Sequence, residues 1–164
     1  MALRRADSII PQPPGDRRME ADDILVMLGL HEEMHDRIVY LPGAEAFLKR
    51  VRDLDIKVLL VTNSHPDTLH LKERTLGFSK YFDGFHCSHA YGHAKERQDF
   101  WHALQIKEGF DPETTLFVDD TQPVLRSAAK FGISMPVTVT YPDTSEPKRN
   151  GSKFAGVEGI HELL

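Results

Sequence analysis

The stretch TLFVDDTQPVLRSAAKF, Thr115 to Phe131, decides the fold. Leu116, Phe117 and Val118 form a short apolar run of the kind that makes a strand buried on both faces, and it ends abruptly in two carboxylates, Asp119 and Asp120. Beyond them, Gln122, Pro123, Val124, Leu125, Ala128 and Ala129 read as a helix, with Pro123 in its first turn and Gly132 where a C-cap belongs. The pattern is strand, acidic turn, helix. In open parallel sheets ligands sit outside the carboxyl ends of the strands, so this turn is where chemistry is expected.

Working outward, the same grammar repeats. Ala46, Phe47, Val51 and Leu54 show helical spacing within Ala44 to Leu54, and Val58 to Val61 is a second buried strand with Thr62, Asn63 and Ser64 at its tip. Pro66 and Asp67 suit the first turn of a helix reaching about Thr75, which Gly77 closes. Phe82 to Ser88 reads as a third, less apolar strand. Gly92 to Lys95 is a loop, and a helix is expected from Glu96 to about Lys107 with Phe100, Trp101 and Leu104 facing the core. Pro136 to Thr140 is expected as an edge strand, because Pro136 donates no ladder bond. Tyr141 to Gly151 is read as a mobile loop, and Val157 to Leu164 as a short terminal helix or frayed end. Helices alternating with strands imply an α/β fold, a doubly wound, Rossmann-like parallel sheet with right-handed crossovers.

The 164 residues suffice for one domain with a real core. Residues 41–164 are assigned to that core, 19–40 to a helical segment and 1–18, with four arginines, Pro11, Pro13, Pro14 and Gly15, to a disordered N-terminal stretch. A composition of 40% hydrophobic and 27% charged residues is that of an ordinary soluble protein. The net charge of −5 gives no electrostatic case for nucleic acid or an anionic membrane. Neither a membrane span nor a signal-peptide core is visible, and the lone Cys87 fits a reducing compartment, so a cytoplasmic location is expected.

Three polar groups fall at the carboxyl ends or in the following loops of three strands: Thr62 with Asn63, Lys95, and Asp119 with Asp120. A hydroxyl and backbone N–H groups at a helix start hold phosphate oxygens, and a lysine neutralises the same phosphate as a point charge. Two carboxylates without a basic partner in their turn repel each other unless they share a cation, and hard oxygens suit Mg2+ with waters retained. Together they describe a Mg2+-dependent phosphate site. His86, Cys87, His89 and His93 invite a zinc reading, but alternate residues of a strand face opposite ways and structural histidines are favoured. His31 and His35, four apart, are read as a solvated helix face, His65 as a candidate substrate contact, and Trp101 as core.

LLVTNS at Leu59 to Ser64, Lys95 in YGHAKERQDFW, and TLFVDD at Thr115 to Asp120, in that order, resemble the haloacid dehalogenase-like hydrolases over roughly Val39 to Tyr141. Within the family the wording is most similar to bacterial purine nucleotidases that hydrolyse GMP and IMP. The resemblance implies that Thr62 binds the transferring phosphoryl group with Asn63 supporting through its backbone, that Lys95 stabilises phosphate and nucleophile, and that Asp119 is the direct Mg2+ ligand. It also implies that Asp120 holds a metal-bound water or orients Lys95. The partner expected is a small phosphate monoester, a nucleotide. Ala94 departs from the proline that such nucleotidases usually carry before the lysine.

The family mechanism needs an Asp-x-Asp-Gly-Thr-like turn after a first, central strand, and these residues contain none. Asp53-Leu-Asp55 has the spacing but precedes its strand, placing both acids roughly 15–20 Å from the phosphate site. The chain is thus expected to correspond to the last two thirds of a nucleotidase, beginning inside the cap, to lack the first central strand, and to be inactive alone. Two strand edges left open would favour self-association. The alternative is a non-catalytic module of the same fold that binds Mg2+ and phosphate. A phosphoacceptor receiver domain is excluded by order, since its acid pair comes first.

Overall fold

The computed structural model describes residues 2–5, 8–11, 38–143 and 146–163. The backbone divides into two compact units, Met1–Val39 with Asp67–Gly77, and Tyr40–Pro66 with Phe78–Leu164. In the first, β1 (Ala2–Arg5) and β2 (Ser8–Pro11) pair antiparallel, Ala2 opposite Pro11 and Arg5 opposite Ser8. This corrects the expected disorder of residues 1–18 for these two segments: a backbone ladder needs no alternating side-chain pattern, and the proline sits at the ladder's end, where a missing donor costs least. The helix expected over 19–34, with His31 and His35, lies outside the described residues.

In the second unit, α1 (Ala44–Arg52) buries Ala44, Leu48 and Val51. β3 (Leu59–Thr62) precedes α2 (Pro66–Leu76), which starts on the expected proline and whose Asp67–Leu76 belong to the first unit. Then come β4 (Gly84–Cys87), α3 (Gln98–Glu108), β5 (Leu116–Asp119), α4 (Gln122–Phe131), β6 (Met135–Val139) and β7 (Ala155–Val157). All ladders in this unit are parallel: β3 with β4, and β5 with β6 with β7. Among the described residues no ladder joins β3 to β5, so the strands fall into a two-stranded and a three-stranded sheet.

The core lies over the β5 side. Phe100, Trp101 and Leu104 of α3, Phe117 of β5, Val124, Leu125 and Ala128 of α4, and Ile133 form one buried cluster. The Trp101 and Phe117 rings meet edge to face, 4.9 Å between centroids. Each such side chain contributes about 1.5–3 kcal/mol by leaving water. Gly132 caps α4 at φ 118°, a conformation that side-chain-bearing residues rarely adopt, and its N–H bonds the Ala129 carbonyl.

Two edge assignments change. β6 is interior rather than an edge, because its register with β7 begins at Val137, one residue past Pro136, so the proline withholds nothing from that ladder. Residues Ala155–Val157, three residues of weak pattern, form β7, and a single 3-10 turn, Ile160–Leu163, ends the described chain.

Candidate functional site

Parallel pairing brings the strand tips to one edge. Thr62 lies opposite Cys87, and Asp119 opposite Thr138, each at the carboxyl end of its ladder. The Thr62 hydroxyl oxygen accepts from the Ser64 N–H at 2.9 Å, a tight turn at the tip of β3. Lys95 arrives from the loop before α3, and three contacts fix it. The Asn63 Oδ1 accepts from the Lys95 backbone N–H at 3.0 Å, while the Asn63 Nδ2 donates to Glu96 at 3.0 Å. From below, the indole N–H of Trp101 donates to the Lys95 carbonyl at 2.7 Å.

The lysine side chain then crosses the split in the sheet. Its Nζ donates to Asp119 Oδ2 at 2.6 Å and to the Val61 carbonyl of β3 at 3.4 Å, and lies 5.9 Å from the Phe117 ring centroid. One ammonium thus links β3 to β5 where no backbone ladder does. The pair is nearly dry, with side chains 10% and 7% exposed, so its attraction is little screened by water and neither partner is readily removed.

Asp119 and Asp120 point different ways. The Asp119 Oδ1 accepts from the Thr121 N–H at 2.8 Å. Asp120 turns outward, where Arg149 Nη1 donates to its Oδ2 at 2.8 Å and to its backbone carbonyl at 3.1 Å. Two expectations change here. The carboxylates are not without basic partners: each has its own cation, Lys95 for Asp119 and Arg149 for Asp120, so mutual repulsion no longer argues for a shared metal. It is also Asp119, and not Asp120, that orients Lys95. Oxygen donors do suit Mg2+ with waters, and Asp119 is the side chain that would hold it directly. Among the described residues no group of three or more His, Cys, Asp or Glu side chains could hold a metal ion.

Asn63 was expected to support phosphate through its backbone; its side chain, in addition, braces the lysine loop. Sequence reasoning also missed Arg149, which sits in a stretch read only as a mobile loop; its distance of 29 residues from Asp120 leaves no local signal. Trp101 was read as core, and it is, but it also holds the lysine loop.

The histidines near β4 have their own arrangements. His86 is buried, its Nδ1 2.6 Å from the Tyr91 hydroxyl and its Nε2 3.2 Å from Glu108 Oε1, without a hydrogen bond at Nε2. Burial pushes its imidazole below the usual histidine range, against the pull of the Glu108 charge. The Cys87 thiol donates to the Ser64 carbonyl at 2.9 Å and lies 3.4 Å from His89 Nδ1, while the His65 and His89 rings meet edge to face at 5.3 Å.

Residues 12–132 match the family model described as haloacid dehalogenase-like hydrolase. Over 132 residues the chain is 31% identical to the GMP/IMP nucleotidase YrfG of Escherichia coli strain K12, covering 80% of this chain and 60% of that protein. Two solved structures share the fold. YfnB of Bacillus subtilis, a HAD-hydrolase bound to magnesium, superposes with a TM-score of 0.72 at 17% identity, over 88% of this chain and 63% of the other. The L-2-haloacid dehalogenase of Xanthobacter autotrophicus superposes at 0.66 with 19% identity, over 84% and 64%. The chain therefore spans less than two thirds of the length of these relatives. With three quarters of it inside the family match and the parallel, helix-linked strand tips assembled as described, the chain belongs to the haloacid dehalogenase-like hydrolases.

Proposed function

We propose that these residues form the phosphate- and metal-holding part of a Mg2+-dependent phosphate monoester hydrolase whose substrates are purine nucleoside 5′-monophosphates of the GMP and IMP type. One observation carries the reading: the Lys95 ammonium, held 2.6 Å from Asp119 and 3.4 Å from the Val61 carbonyl, stands at the tips of both halves of the sheet beside Thr62. The fold alone would not choose, since dehalogenation and phosphate chemistry both occur on it. The nucleotidase relative supports the substrate class.

In this reading Thr62 donates its hydroxyl to a phosphoryl oxygen, and Asn63 and Trp101 hold the loop so that Lys95 neutralises the charge building up on that group. Bound Mg2+ would supply further charge neutralisation at the acid pair. Asp119 keeps Lys95 aimed. The covalent step needs a carboxylate nucleophile, and no Asp-x-Asp-Gly-Thr turn occurs in the 164 residues. Taken alone they therefore bind phosphate without turning it over, and the alternative of a non-catalytic module differs only in what supplies that group. A cytoplasmic location accords with the single cysteine; among the described residues no helix is long and apolar enough to cross a membrane.

Two measurements test this. Inorganic phosphate titrated with Mg2+ into 15N-labelled protein should shift the amides of Thr62, Asn63 and Lys95, and Thr62→Val should weaken that response. GMP or IMP with Mg2+ should release no phosphate; release that disappears in Asp119→Asn would show a nucleophile among these residues and overturn the inactivity.

A further inference from the structure

A cavity of about 410 Å³ opens beside Asp120, at the carboxyl ends of β5 and β6. Its floor is fixed by a closed network: Gln122 Nε2 donates to Thr138 Oγ1 and to Ser152 Oγ, each at 3.1 Å, and Thr138 is buried. Its rim presents Asp120, Arg149 and Asn150. Arg149 is held there by its backbone N–H bonding the Thr140 carbonyl at 2.8 Å, so the guanidinium belongs to an ordered wall. The volume falls at the small end of ligand sites, about 300–1,000 Å³.

The wall's charge selects the ligand. Arg149 and Asp120 neutralise each other across 2.8 Å, so the pair presents little net charge to draw in an anion. No aromatic side chain lines the cavity, so nothing offers a planar ring a stacking surface. What the pair does offer is an acceptor and a donor side by side, Asp120 Oδ2 and the Arg149 guanidinium, whose remaining N–H groups extend the donor edge. Two adjacent hydroxyls match that arrangement: one donates to the carboxylate while the neighbouring oxygen accepts from the guanidinium, and Asn150 lines the same cavity.

We propose that this cavity is a subsite for a vicinal diol, the sugar-type portion of the substrate's leaving group, read jointly by Asp120 and Arg149. The assignment rests on the phosphate-monoester reading above, and it places the sugar next to the acid pair.

The test titrates methyl β-ribofuranoside, which carries the diol and no phosphate, into the 15N-labelled full chain. Shifts are expected at Asp120, Gln122, Arg149 and Ser152. The 2-deoxy analogue should bind about fivefold more weakly, the worth of one net hydrogen bond. Arg149→Met, which keeps the stem and removes the donors, should weaken the riboside about tenfold, and Asn150→Ala about threefold. Both are exposed positions, so the fold is retained and the readout stays available. Absence of shifts at these residues, equal binding of the deoxy analogue, or indifference to both variants would overturn the subsite. The inorganic phosphate titration reads Thr62, Asn63 and Lys95 separately: phosphate binding without riboside binding sinks this proposal alone, and riboside binding without phosphate binding sinks the phosphate site it rests on.

Discussion

The indole nitrogen of Trp101 donates to the carbonyl of Lys95 across 2.7 Å, so the largest fully buried side chain of the core sets the backbone from which the candidate site's lysine projects. Core packing and site geometry are thereby the same interaction. Trp101→Phe keeps most of the ring's burial and removes the donor, leaving the Lys95 carbonyl without that partner; Ser127 keeps its bond from Gln98. A loss of about 1–2 kcal/mol in urea unfolding is expected, together with weaker inorganic phosphate binding. Unchanged phosphate affinity in a folded variant would show that Asn63 alone positions the loop.

Lys95 and Asp119 form a dry pair, and breaking one side should cost more than deleting both. Lys95→Met leaves the Asp119 carboxylate buried without its cation and should destabilise the protein by about 3–5 kcal/mol. The double variant Lys95→Met with Asp119→Leu should recover a substantial part of that loss. Additive losses in a thermodynamic cycle would mean the two charges do not couple.

Acid should weaken the fold through His86. Its buried imidazole takes a proton less readily than the same histidine in the unfolded chain, whose ordinary value is 6.5, so the unfolded state binds more protons below that pH. Stability is therefore complete above about pH 6.5 and declines as the pH falls from there toward the lowered folded value. Glu108, held below the usual carboxylate range chiefly by its hydrogen bond from Lys57, adds a loss of the same sign in more acid solution, as the pH falls through its own lowered value. Urea midpoints between pH 7.5 and 5 should drop for the natural sequence and flatten in His86→Gln. Equal slopes for both proteins would remove His86 from the explanation.

The edges of β3 and β5 that no described strand pairs should promote association between copies. Sedimentation velocity at rising concentration is expected to show a shift to larger species. Leu116→Lys, placing a charge on an exposed apolar position of β5, should suppress it. A monomer at every concentration would show that the edges stay unpaired.

Much of this was legible in the residues, for identifiable reasons. β5 and α4 carry strong local signals, a four-residue apolar strand ending in acids and a helix bounded by Pro123 and Gly132, and both stand as read. The placing of Thr62 and Asp119 at carboxyl strand ends was legible because such ends in a parallel sheet share one edge, and Lys95 reaches Asp119 from the loop before α3. What resisted reading was non-local. The Arg149 partnership spans 29 residues and begins in a proline- and charge-rich loop with no periodicity, and β7 has three residues, too few to alternate. Asn63 was legible as a site residue but not as a side-chain brace, because its partner Lys95 lies 32 positions on.

The split between β3 and β5 divides the protected backbone into two unequal populations. The buried aromatic and aliphatic cluster draws only on α3, β5, α4 and Ile133, whereas every residue of β3 is just partly buried. Amide protons of β5 and α4 should therefore exchange with deuterium only on global opening, while those of β3 and β4 escape through a cheaper, local excursion that includes release of Lys95 and of the Val61 packing. Lys95, proposed above to meet the phosphate, is then also a latch on the β3–β4 ladder, and a ligand engaging it should slow exchange in β3 more than anywhere else in that unit.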